Sequence, residues 1–147
     1  MDHDEAAWTL NVLLRTTIDE EDGFQACSEN VTDLKLKASL ETAARRCRER
    51  AKELERKIRS LGGEPAKCGS ANGSLHRVWT DLKASIKGMD DDAILAECER
   101  AEDVAKDQYE TMLGQNLPPD CRTLVEEQYE AVIENLDLFR DLRNAAA

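Results

Sequence analysis

The chain has 147 residues, of which 35% are charged and 4% aromatic, and its formal net charge is −11. That length is the usual size of one domain with its own core, so residues 1–147 are expected to form a single unit without a disulfide or metal staple. The acidic balance repels nucleic-acid phosphates and anionic membranes, which argues against both as partners. No stretch reaches the roughly 18 to 20 apolar residues of a membrane helix. The start, MDHDEAAW, is acidic where a signal peptide would be basic, so a cytoplasmic setting is expected. Cys27, Cys47, Cys68, Cys98 and Cys121 form no CxxC pair, and reduced thiols are the expected state.

High charge with few Gly and Pro favours long helices over sheet. The first is predicted over residues 5–28, where Leu10, Leu14, Thr17, Glu21, Phe24 and Ser28 recur on one face. This spacing places Glu21 in the buried seam and leaves Asp19, Glu20 and Asp22 pointing elsewhere. Gly23 beside Phe24 lowers helix propensity, which suggests that another group passes close to the backbone there. The sequence NVTD at 30–33 supplies cap chemistry for a tight hairpin.

A second helix is predicted over 34–61, with Leu36, Leu40, Ala43, Cys47, Ala51, Leu54, Ile58 and Leu61 as its stripe. Between Lys35 and Arg59 it carries ten basic residues against four acidic ones. Such a run is either a solvated face laced with i,i+4 pairs or a docking surface for an acidic partner, a second copy of the chain included. LGGEP then ends the helix, because Gly takes left-handed cap geometry and Pro65 cannot continue.

The connection holds a loop, AKCGSANGS, and a short amphipathic helix over 74–87 with Leu75, Val78, Trp79, Leu82 and Ile86 on one side. About 14 helical residues span about 21 Å, enough for a crossover along most of a bundle. His76 lies at the edge of this apolar face, and Cys68, in the loop beside Lys67, is the thiol expected to be accessible.

A third long helix is predicted over 90–113, the positive end of its dipole matched by Asp90, Asp91 and Asp92. Leu95, Cys98, Glu102, Ala105, Tyr109 and Met112 form its seam, so the Glu102 carboxylate falls inside an apolar stripe and needs a proton, a donor or a cation. GQNLPPD breaks the chain, and the last helix is predicted over 119–143. Its stripe contains two amides, Gln128 and Asn135, at about the level of Glu102. The inward acids therefore either join these amides, Thr17 and Tyr109 in a layer that fixes helix register, or bind a cation.

The segments LNVLLRTTIDEEDGF, LGGEP with GSANGSLHRVW, and ILAECERAED resemble a bacterial family of ferritin-like bundles of about 140 residues whose function is unknown. The resemblance implies an all-α, ferritin-like four-helix bundle with a long crossover containing an additional short helix. Di-iron members of that superfamily supply one Glu from each of two helices and a Glu-x-x-His from each of the other two. Only the single acids carry over, Glu21 and Glu102, with Glu99 one turn earlier. The paired positions hold Ala44 and Cys47 on the second helix, and Gln128 and Ala131 or Val132 and Asn135 on the last. The implied role is a non-enzymatic binding or stress-related scaffold without a resident cofactor. The alternative is a reduced carboxylate site of Glu21, Glu99 and Glu102 holding a divalent ion such as iron or manganese.

Overall fold

The computed structural model describes residues 1–70 and 73–146. Its elements are α1 (His3–Asn30), α2 (Leu34–Ser60), α3 (Ser74–Ser85), α4 (Asp91–Leu113) and α5 (Pro119–Ala146), with a 3₁₀ turn at Ile86–Gly88, and no strand occurs among the described residues. Every predicted helix is present, with ends displaced by no more than three residues. Local chemistry sets those ends. Asp2, Asp33 and Asp90 each accept from a backbone amide three residues on, at 2.8 Å, satisfying a donor that the first helical turn leaves free. Gly62, at φ 83°, turns the chain out of α2, and the Gly63 amide closes onto the Ile58 carbonyl at 3.0 Å.

Two contacts fix the path. The Asp91 carboxylate accepts from the Thr32 amide, the Thr32 hydroxyl and the Asp33 amide at 2.8, 3.0 and 2.8 Å, so α4 starts at the turn where α2 starts. These donors outweigh the slight burial of Asp91, which works the other way, and hold its carboxyl below the ordinary range. Lys57 donates to Asp120 at 2.7 Å, so α5 starts where α2 ends. It follows that α2 and α4 run in one direction, α1 and α5 in the other, and residues 61–90 travel the length of α2.

The four long helices bury one apolar core, in which α1 packs chiefly on α2 and α4 chiefly on α5. The short helix α3 lies across α1 and α4. It docks through Trp79, whose ring meets Phe24 edge-on at 5.1 Å, and Phe24 in turn meets Phe139 at 5.5 Å. Gly23 is what admits Trp79: a Cβ there would overlap the six-membered part of the indole. A rigid ring wedged against Phe24 cannot yield as a flexible side chain would.

Gly23→Ala is therefore expected to lose about 1–3 kcal/mol through overpacking, although alanine is the better helix former by about 1 kcal/mol. Thermal denaturation followed by circular dichroism measures this. A melting temperature at or above that of the unaltered chain would contradict the contact.

Candidate functional site

The run Asp19-Glu20-Glu21-Asp22 sends four acids in four directions. At 100° per residue, consecutive side chains on α1 face consecutive neighbours. Asp19 accepts from the Ser70 amide at 3.2 Å and lies 3.5 Å from His76 Nδ1, which ties α1 to the crossover loop and to α3. Burial raises the pKa of Asp19 even so, against the pull of these groups. Asp22 pairs with Lys83 on α3, and Glu21 pairs with Arg48 on α2 at 2.8 Å. Glu20 alone turns into the core, with no exposed surface.

This corrects the expected position of Glu21. Its side chain is 28% exposed and sits at the α1–α2 boundary, held by the Arg48 guanidinium. The steps 17–20–24 and 17–21–24 satisfy a helical seam equally well. The choice falls on Glu20 because α1 is covered on two sides, by α2 and by α3 with α4, so that Leu13, Thr16, Glu20, Gly23 and Cys27 are buried beside the predicted stripe. Glu99 is also placed differently from a shared site with Glu21 and Glu102. It pairs with two arginines of α5, Arg140 Nε at 3.2 Å and Arg143 Nη1 at 3.1 Å. Glu102 is where the periodicity put it, fully buried on the seam of α4.

Facing these acids from α2 is Arg50, which sequence reasoning missed and which is only 5% exposed. The signal lay in its spacing: Cys47, Arg50 and Leu54 follow the same 3,4 step as the apolar stripe, hidden within a run of cations. Arg50 Nη2 donates to Cys47 Sγ at 3.3 Å. The layer closes through Gln128 on α5, which donates to the Arg50 carbonyl at 3.2 Å and accepts from the Tyr109 hydroxyl at 3.1 Å. Each of the four long helices thus contributes a polar group at one level.

The titration of the layer follows from its dryness. Burial, and next the facing Glu102 carboxylate, push the Glu20 carboxyl well above the ordinary range, against the pull of Arg50. As carboxylates, the two acids are acceptors only, and none of their four oxygens finds a protein donor. One proton resolves the conflict, because a protonated Glu20 can donate to Glu102. One negative charge then faces one guanidinium. Burial works against the charge on Arg50, but Cys47, Tyr109, Glu20 and Glu102 outweigh it and raise the pKa of the guanidinium. Burial also pushes the Cys47 thiol and the Tyr109 phenol up, so both stay protonated at neutral pH. The layer sets a buried guanidinium within the electrostatic reach of two acids that can share a proton, and its thiol and phenol are not activated as nucleophiles.

Among the described residues, no group of three or more His, Cys, Asp or Glu side chains is placed to hold a metal ion. His76 is half-buried against Asp19, far in sequence from the layer, and Cys68 is exposed beside Arg15, whose Nη1 lies 3.9 Å from its sulfur. Cys47 and Cys98 are buried as predicted, and Cys98 Sγ lies 3.6 Å from Cys27 Sγ.

Residues 5–115 match the family described as a domain of unknown function, DUF2383. The match runs from α1 to the turn after α4 and contains Glu20, Arg50 and Glu102, whereas Gln128 and Asn135 lie beyond it. No curated protein matches the chain.

Because folding raises the pKa of Glu20 above its ordinary 4.5, the folded chain binds more protons than the unfolded one between the two values. Its contribution is therefore most favourable below the unfolded value and is lost as pH rises through the folded one. Glu20→Gln, which imitates the protonated acid, is expected to remove that decline. The melting temperature of the variant should gain on that of the unaltered chain from pH 5 to pH 8, and a constant difference would refute the shared proton.

Proposed function

Since the chain belongs to the DUF2383 family, whose function is unknown, we propose from its interior that it is a ferritin-like four-helix bundle whose centre is closed by Arg50 and which acts as a non-enzymatic scaffold through its outer faces. The observation that carries this reading is the buried Arg50 guanidinium facing Glu20 and Glu102. Helices α1 and α4 each offer a single inward Glu, as in a carboxylate-bridged bundle. On α2, Cys47 and Arg50 stand at the i,i+3 spacing where such a bundle carries Glu and His. On α5 the corresponding pair is Val132 and Asn135, or Gln128 and Ala131.

These residues do not fit a di-iron centre. Guanidinium is cationic at every physiological pH, has no lone pair to offer a metal, and repels a second cation. It supplies in fixed form the positive charge that two inward carboxylates require. With Cys47 and Tyr109 held protonated, the interior offers no thiolate or phenolate nucleophile at neutral pH. Recognition is left to the surface, and with the reduced thiols expected from the cysteine pattern the proposed setting is the cytoplasm.

A competing reading keeps a small cation site at Glu20 and Glu102, whose four oxygens lack protein donors. Elemental analysis of tag-free protein, with calorimetric titration by ferrous, manganous and zinc ions, separates the two. No stoichiometric metal and no saturable heat are expected. Metal that is present in the unaltered chain and lost on combining Glu20→Gln with Glu102→Gln would overturn the closed-centre reading. Arg50→Met is expected to cost about 3–5 kcal/mol in denaturant unfolding at neutral pH, since removing one partner strands the other charge. A loss below about 1 kcal/mol would mean the guanidinium does not neutralise the layer.

A further inference from the structure

The outer surface is unevenly finished. Helix α2 meets α5 over a far smaller contact than α1 meets α2, and between them Lys57 with Asp120 is the only ion pair among the described residues. Yet the two helices carry opposite charge. Arg45, Arg46, Lys52 and Arg56 are exposed on α2 and make no ion pair. On α5, Glu127, Glu130, Glu134 and Asp137 are exposed and make none either. Arg56 and Glu127 line one cleft of the seam, and Arg46 lines another with Asn135, next to Glu134.

The second cleft is also the apolar part of this face. Ala38, Thr42 and Leu138 line it, Leu138 is 37% exposed, and Leu34 stands out 80% exposed at the same end of α2. Asn135 Nδ2 is buried at this cleft with no acceptor. Unpaired cations, unpaired anions, an exposed leucine and an orphan amide thus share one two-helix face.

We propose that this face is the contact between two copies of the chain, with α2 of each copy lying over α5 of the other. The occupant follows from charge complementarity within a single surface, since a face carrying both halves of the pattern matches itself under two-fold rotation. An axis running along the bundle between α2 and α5 keeps every residue at its own level. It brings Arg46 and Arg56 of one copy opposite the levels of Glu134 and Glu127 of the other. Helices of 27 and 28 residues side by side offer a face of about 40 by 20 Å, about 800 Å² and one partner's share of a standard-sized interface. The net charge of −11 opposes association, and the basic strip on α2 is what offsets it here.

This proposal rests on the reading of the chain as a surface-acting scaffold, but it fails separately: metal content decides that reading, and mass in solution decides this one. Sedimentation equilibrium of the full chain at low salt should give twice the 16.5 kDa of one chain, falling toward one as molar salt screens the pairs. Arg46→Glu with Arg56→Glu shifts the face toward acidic, and Glu127→Arg with Glu134→Arg shifts it toward basic. Each double variant alone should sediment as a folded monomer, with helicity unchanged. An equimolar mixture of the two should restore the dimer mass, as should all four substitutions on one chain. A monomeric unaltered chain at low salt overturns the proposal. So does a dimer indifferent to either charge swap, which would move the contact to another surface, such as that around the exposed Trp8.

Discussion

A buried guanidinium, facing two carboxylic groups from other helices, is the constraint around which this bundle is arranged. Stripping three ionisable groups of solvent is costly, and their mutual attraction offsets that cost only when charge and geometry match. The match here is improved by a proton: a protonated Glu20 can donate to Glu102, which lowers the negative charge facing Arg50. Hydrophobic residues of similar volume would stabilise such a core at least as well. What they would not do is specify level. Arg50 sits on α2, Glu20 on α1 and Glu102 on α4, while Gln128 of α5 binds both the Arg50 carbonyl and the Tyr109 hydroxyl. Sliding any one of the four helices by a turn would strand a charge or an amide in apolar surroundings.

Helix α1 performs the complementary task around that layer. Its acidic run looks like a solvated patch, yet Asp19 receives the crossover loop, Glu20 the interior, Glu21 α2, and Asp22 α3. Gly69 passes so close to Asp19 that a Cβ would collide with its carboxylate, and Gly23, one residue past the run, admits Trp79. Short-range charge and absent side chains together hold a crossover that has little apolar surface of its own. The far end is fastened by Asp91, which ties α4 to the α1–α2 turn.

Much of this was legible in the sequence, and the misses have particular causes. The seam of α4 was correct at every position because one side of that helix is clearly apolar and of its acids only Glu102 falls on that side. On α1, adjacent acids and a wide buried sector left Glu20 and Glu21 equivalent by spacing, and only the Arg48 pairing separates them. On α2, Arg50 was counted with nine other cations as surface, although its step from Cys47 to Leu54 was that of the stripe. Periodicity finds which side of a helix is covered. It cannot find which of several like charges is covered when the neighbouring helix supplies the counter-charge from far away in the chain.

The same helix that supplies the interior cation leaves most of its others outside, and that division bears on where the molecule can act. Inside, the thiol and phenol are held in their uncharged forms, a protonated Glu20 can donate to Glu102, and the Arg50 guanidinium supplies the buried positive charge. A reaction centre needs at least one group whose protonation or ligation is unsatisfied in the resting state. The α2–α5 face, by contrast, carries exposed cations and anions that make no ion pair among the described residues of the folded chain. Free energy available for recognition therefore lies outside the bundle, on surfaces that the closed interior holds rigidly in register.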